Sequence, residues 1–288
     1  MTATSLHGLI AAAVAEDLGA SGDVTAAATV PPAAQAAADF VTRERGVIAG
    51  LDAVEATLRA VDPSVSLERR ADDGDAVVAG AVVARCEGSA RGILAAERTA
   101  LNLLCHLSGV ATETARYVDA VAGSGCAIRD TRKTLPGLRA LQKAAVVAGG
   151  GKNHRMSLSD GLLVKDNHVV AAGGVGQATR LALDAADGLG VQIEVDSLAE
   201  LDEALDAGAT SVLLDNFSVG DMRAAVERCR QSGDVFVEVS GGVTLASVRE
   251  VALTGVDAVA VGALTHSARA LDIGLDFVTA LAARNGGR

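Results

Sequence analysis

Between residues 126 and 261 short apolar, β-type runs recur, with helical stretches between most of them. The runs fall at about 126–130, 153–157, 161–165, 191–196, 211–214, 235–239 and 257–261. The helical stretches fall at 111–122, 137–148, 176–187, 198–206, 219–231 and 244–253. This alternation constrains the fold more than any other feature. Strands separated by helices join as parallel pairs through crossovers. Seven such strands suit an α/β barrel better than an open doubly wound sheet, although both satisfy the pattern.

The first hundred residues read differently. A helix over 6–18 precedes Gly22-Asp23-Val24-Thr25 and a break at Pro31-Pro32. Strand-type runs follow at 37–42, 64–69 and 76–86, with a helix over 50–61 between them. Leu94, Leu101 and Leu104 lie near helical spacing and predict a helix over 92–108. This is a small sheet with helices on one face. The expected division is an N-terminal α/β domain over 1–108 and a barrel over 109–267. The last segment, 268–288, is expected to be helical over 268–284 and to pack back on the N-terminal part.

Half of the 288 residues are hydrophobic but only 2% are aromatic, so the core must be Ala, Val and Leu. The net charge of −11 argues against nucleic acid as a partner, yet says nothing against a small anion that feels a local field. Cys86, Cys105, Cys126 and Cys229 are scattered and form no zinc-ligand or disulfide pattern. Residues 6–18 carry Glu16 and Asp17 and do not read as a signal peptide. No apolar run approaches the ~18–20 residues of a membrane helix. The expectation is a soluble cytoplasmic protein.

Within this acidic chain the positive charge gathers in one window. Asp130–Arg139 holds Arg132, Lys133 and Arg139; then come Gly149-Gly150-Gly151-Lys152-Asn153-His154-Arg155 and Lys165. Such clustering points to a polyanion site. The later strands also end in chemistry: Glu194 and Asp196, Asp215-Asn216, Glu238 with Ser240-Gly241-Gly242, and Gly262. The C-terminal ends of barrel strands are where ligands bind. Arg forks at Arg132, Arg155 and Arg98 suit planar carboxylates. Lys133 and Lys165 are compact charges suited to phosphate or pyrophosphate. Glu194 and Asp215 can share Mg²⁺ with substrate phosphates. Ser240-Gly241-Gly242 and Gly262-Ala263 offer backbone N–H groups to a phosphate monoester at a helix start. The Gly149–Lys152 run lacks P-loop spacing. His106, His168 and Cys105 read as structural, and His154 as a site residue. A Schiff-base aldolase using Lys133 or Lys165, or a metabolite-binding regulator, uses the same residue types differently.

Taken in order and spacing, these motifs resemble the quinolinate phosphoribosyltransferases. The resemblance also takes in Glu16-Asp17-Leu18-Gly19, Glu97-Arg98-Thr99-Ala100-Leu101-Asn102, Leu107–Thr112, Lys165–His168 and Val261–His266. It implies an N-terminal α/β sandwich plus an incomplete seven-stranded α/β barrel. It further implies a homodimer or higher homo-oligomer with sites shared between subunits, and Arg98 matches the residue that reaches across. Arg132, His154, Arg155 and Lys165 match the quinolinate-binding set. Lys133, Glu194, Asp215, Ser240, Gly241, Gly242, Val261, Gly262 and Ala263 match the phosphoribosyl pyrophosphate and Mg²⁺ side. Thr131 falls with the substrate-binding residues, and Lys133, Glu194 and Asp215 carry the catalytic assignment. The implied reaction joins quinolinate to phosphoribosyl pyrophosphate with loss of CO₂ and requires no protein nucleophile.

Overall fold

The computed structural model describes residues 6–281. In chain order these form α1 (Leu6–Leu18), α2 (Val24–Thr29), β1 (Gln35–Thr42), β2 (Gly46–Val47), α3 (Leu51–Val61), β3 (Ser66–Arg69), β4 (Ala76–Val77), β5 (Val82–Ser89) and α4 (Ala90–Ala120). Then come β6 (Ala127–Arg129), α5 (Arg139–Ala148), β7 (Leu162–Val164), α6 (Asp166–Ala172), α7 (Val175–Asp184), β8 (Val191–Val195), α8 (Leu198–Asp206) and β9 (Ser211–Asp215). The rest are α9 (Val219–Ser232), β10 (Phe236–Ser240), α10 (Val248–Ala252), β11 (Ala258–Ala260), α11 (Ala263–His266) and β12 (Ile273–Leu281). The chain divides into two compact units: Met1–Glu113 with Pro136–Gly149 and Ala268–Arg288, and Thr114–Leu135 with Gly150–Ser267. The segment carrying α5, read from the sequence as part of the barrel domain, groups with the first unit.

The first unit is built on an antiparallel sheet in the order β12-β1-β5-β3. Phe40, Ile48, Leu51, Leu58, Ile93 and Leu104 are buried between this sheet and its helices. Asp73 caps α3 from a distance, accepting the N–H groups of Gly50 (2.9 Å) and Leu51 (3.2 Å). The final segment corrects the sequence reading. Residues 273–281 form a strand that pairs with β1, from Thr42–Ile273 to Gln35–Leu281. Ile273, Phe277, Val278 and Thr279 are strand-forming types. An edge of β1 needed a hydrogen-bonding partner, and a helix does not supply one. The expected helical residues beyond 281 lie outside the described residues.

The helices expected over 92–108 and 111–122 are one continuous helix, α4. Gly109 sits in its interior, where glycine normally weakens a helix. The reason is a close approach: a Cβ at Gly109 would lie 2.2 Å from the Arg269 carbonyl oxygen and 2.9 Å from Ala270 Cα.

The second unit holds a parallel sheet in the order β6-β11-β10-β9-β8-β7. Lys152 adds a single parallel bridge to Arg129 on the outer side of β6. Arg129 of β6 and Leu162 of β7, from the two sheet edges, line one cavity, so the sheet curls into an incomplete barrel. Val212, Leu214, Val237, Val239 and Val259 are fully or almost fully buried on the alternate face. The strand expected over 153–157 is absent beyond the Lys152 bridge. Its backbone groups bond to side chains instead: Asn153 O accepts from Arg129, His154 N–H donates to Asp130, and Asp160 takes the N–H groups of Met156 and Ser157.

Gly109→Ala is expected to cost about 1–3 kcal/mol in urea unfolding through overpacking, although alanine is the better helix former. A stabilised variant would show that the 269–270 backbone yields freely.

Candidate active site

Pleating sends alternate residues of a strand to opposite faces. On β8 the inward set is Gln192 and Glu194, while Ile193 and Val195 are buried outward. The parallel register sets Glu194 beside Leu213, and Ser240 beside Asp215. Leu163 pairs with Gln192, and Lys165 follows on the same face two residues later.

These positions open into a cavity of about 390 Å³. It is lined by Thr131, Arg132, Lys133, His154, Arg155, Lys165, Glu194, Asp215 and Ser240, with Leu163, Leu213 and Ala260 as apolar walls. Four cations thus face two carboxylates in a chain whose net charge is −11. Lys165 Nζ is hydrogen-bonded to Glu194 Oε2. The loop after β6 is fixed at both ends. Thr131 Oγ1 accepts the Lys133 N–H at 2.9 Å, and Lys133 O accepts from Thr265 Oγ1 at 2.8 Å. Arg155 donates to the Gly161 carbonyl at 2.9 Å. Burial, and then the neighbouring Arg132 charge, pulls its guanidinium below the ordinary arginine range. That proximity of two cations is costly without an anion between them.

Gly241 and Gly242 have φ of +93° and +61°. A Cβ at Gly241 would meet Asn216 Oδ1 at 2.3 Å and Asn216 N at 2.9 Å, so this turn accepts only glycine. Asn216, itself at φ +56°, donates its N–H to Ser240 O and its amide to Asp215. One sequence reading needs correction here: the Ser240–Gly242 loop does not lead straight into a helix, because α10 begins only at Val248 and a Thr244–Ser247 turn intervenes. Gly262 and Ala263 do open α11, a helix of 4 residues, with Val261 N–H bonded back to Arg129 O. At Gly262 a Cβ would come within 3.1 Å of the Lys133 side chain.

Glu238, read as a strand-end residue, lies in the middle of β10 and is fully buried. Its Oε2 accepts from Arg129 Nη1 (2.7 Å) and Gln192 Nε2 (2.8 Å). Arg129 and Gln192 are functional candidates that residue type alone did not single out. Their signal was a polar residue at an inward position of an otherwise apolar strand. His106 pairs with Gln142, His168 Nδ1 accepts the Lys165 N–H, and Cys105 is half-buried. Arg98 sits on an exposed face of α4 in the first unit. Asp166, Asp196 and Glu200 line a smaller cavity of about 210 Å³ that shares Glu194 and Asp215.

Residues 23–108 match the family model for the N-terminal domain of quinolinate phosphoribosyl transferase, and residues 110–276 match that for its C-terminal domain. The chain belongs to this family. A nicotinate-nucleotide pyrophosphorylase (carboxylating) of Mycobacterium leprae is 49% identical over 268 residues, covering 92% of this chain and 94% of that relative. A mitochondrial quinolinate phosphoribosyltransferase (decarboxylating) of Nicotiana tabacum is 41% identical, covering 98% and 85%. The solved nicotinate-nucleotide pyrophosphorylase of Francisella tularensis superposes with a TM-score of 0.90 at 38% identity, covering 94% of this chain and 95% of that one. Both domain models of the family therefore match, and the fold is shared with a solved nicotinate-nucleotide pyrophosphorylase. Among the described residues no helix is long and apolar enough to cross a membrane.

Removing one partner of a buried ion pair typically costs about 3–5 kcal/mol. Arg129→Leu should fall in that range in equilibrium unfolding, and adding Glu238→Leu should recover part of the loss. A double variant no more stable than Arg129→Leu would show that Glu238 does not depend on Arg129.

Proposed function

We propose that this chain transfers phosphoribosyl from phosphoribosyl pyrophosphate to quinolinate with decarboxylation. The products are nicotinate mononucleotide, pyrophosphate and CO₂, a step of NAD biosynthesis. The observation that carries the reading is the charge layout of one cavity within this family's barrel. Arg132, Arg155 and Lys165 form a cationic side, and Glu194 and Asp215 stand at neighbouring strand ends.

The cationic side suits the two carboxylates of quinolinate, since Arg forks hold planar carboxylates with paired hydrogen bonds. Lys133, beside the Gly262 turn, suits the pyrophosphate. The Ser240–Gly242 turn exposes backbone N–H groups to the 5′-phosphate without crowding it. Glu194 and Asp215 are the residues that would hold Mg²⁺. Mg²⁺ commonly takes one or two carboxylates and completes its shell with phosphates and water. When bound, Mg²⁺ offsets pyrophosphate charge. The hydrogen bond from Lys165 ties Glu194 to the opposite side of the cavity, so the two halves of the site are coupled through that pair.

In the reaction the pyridine nitrogen forms a bond to ribose C1 as the C1–O bond to pyrophosphate breaks. The C2 carboxylate then leaves as CO₂. Its bonding pair stays on C2 beside the quaternary nitrogen until a proton from water bonds to it. The residues act by positioning and electrostatics. Glu194 and Asp215 also face the ribose as it gains positive charge.

The protein is proposed to work in the cytoplasm as a homodimer or higher homo-oligomer in which Arg98 completes a partner's site. Purified protein with quinolinate, phosphoribosyl pyrophosphate and Mg²⁺ should release pyrophosphate and nicotinate mononucleotide together, and nicotinate should yield neither. Turnover of nicotinate instead would overturn the decarboxylating reading. Mixing Arg98→Ala with Lys133→Ala protein should restore activity that neither has alone. No restoration after proven subunit exchange would assign Arg98 elsewhere.

A further inference from the structure

The loop at 153–155 carries two of the residues expected to grip quinolinate, yet no strand ladder holds it. Its anchors come from inside the barrel. Arg129 donates to Asn153 O at 3.3 Å and Asp130 accepts the His154 N–H at 2.8 Å. The ring of His154 lies 3.0 Å from Gln192 Oε1 through Nε2, and its Nδ1 lies 2.7 Å from the Arg155 N–H. A second opening of about 290 Å³, at the strands' N-terminal ends, reaches Gln192, His154 and Arg155 from the other side.

We propose that Gln192 and Glu238 are positioning residues for the quinolinate half of the site: they hold His154 as the neutral Nε2–H tautomer and through it fix the backbone of Arg155. The inference deepens the proposed function and rests on it. It follows from donor and acceptor types. The Glu238 carboxylate only accepts, and Arg129 supplies its countercharge at 2.7 Å. Gln192 therefore turns its NH₂ to Glu238, at 2.8 Å. The opposite amide orientation would set an oxygen against the carboxylate. With Gln192 Oε1 thus facing the imidazole, Nε2 must carry the hydrogen. Nδ1 is left as an acceptor, and a backbone N–H, that of Arg155, meets it. One proton arrangement satisfies every link, and it starts from a charge that has no access to solvent.

This changes the role of His154. Both ring nitrogens have protein partners, so the imidazole shapes the cavity wall and aims the Arg155 main chain. The Arg155 guanidinium is secured separately at the Gly161 carbonyl. Displacement of a binding group by about 1 Å costs up to ~100-fold in rate, so an anchor this far from the substrate still has kinetic weight.

The test begins with the unaltered protein. A long-range ¹H–¹⁵N spectrum resolves the tautomers of its five histidines, and His154→Asn identifies the signal of His154. At neutral pH without substrate the Nε2–H tautomer is expected; the Nδ1–H form or the imidazolium would overturn the proposal. In Glu238→Gln, which frees the Gln192 amide to turn an N–H toward Nε2, the Nε2–H form should give way to Nδ1–H as the Arg155 N–H contact to Nδ1 is lost. An unchanged Nε2–H signal would assign the tautomer to Arg155 alone and overturn the proposal. Gln192→Leu should raise the quinolinate KM about ten- to a hundred-fold and leave the KM for phosphoribosyl pyrophosphate unchanged. Equal effects on both substrates, or none, would reduce Gln192 to packing. Should Gln192→Leu fail to fold, the spectra of the unaltered protein and of Glu238→Gln still decide. If the unaltered protein does not turn over quinolinate, the substrate reading falls, whereas the tautomer is read without substrate and stands or falls by its own signal.

Discussion

A carboxylate sealed inside a barrel needs a countercharge, and the position of Glu238 sets that demand. Removing a carboxylate from water is expensive, and the cost is offset only by close opposite charge and hydrogen bonds. Arg129 and Gln192 meet one oxygen, Oε2; the other, Oε1, has no partner among the described residues. Barrel interiors are usually filled by layers of branched apolar side chains. Here the layer beneath the site is polar, and its hydrogen bonds end on the loop that carries His154 and Arg155. The interior thus supports the site as well as closing the barrel.

Above that layer the pleat determines the chemistry. Because strands β8, β9 and β10 run parallel in a set register, inward residues two apart climb toward the same mouth. Glu194, Asp215 and Ser240 therefore converge without any loop having to place them. The cations arrive differently, on the irregular backbone after β6, the 153–155 loop and the end of β7. Carboxylates on strands and cations largely on loops leave the acidic positions rigid. The basic ones depend on anchors such as Thr131, Thr265 and the barrel interior.

Much of this was legible from residue order. The helix over 198–206 and the strands near 191–196 and 211–214 match α8, β8 and β9 closely, since their period and caps agree. The family motifs marked Arg132, Lys133, Lys165, Glu194, Asp215 and the Ser240–Gly242 turn; of these, the six residues Arg132, Lys133, Lys165, Glu194, Asp215 and Ser240 line one cavity. Three readings failed for a common reason. Residues 153–157 have strand-like composition but their backbone groups bond to side chains. Residues 273–281 suit a strand because β1 offers a free edge. The helices expected over 92–108 and 111–122 run on as α4 through Gly109, where the 269–270 backbone leaves no room for a Cβ. In each case at least one deciding partner is distant in the chain.

Period, charge and motif spacing in the sequence determined the alternating α/β architecture, the family and the set of charged residues. Those are local properties: each is set by residue type and by neighbours within a turn or a strand. The tertiary structure alone decided that β12 closes the first sheet, that Glu238 lies buried beneath the site, and that His154 spends both ring nitrogens on the protein. The physical reason is that hydrogen-bond partners and burial are settled between residues tens of positions apart, by which strand lies beside which and by which face turns inward.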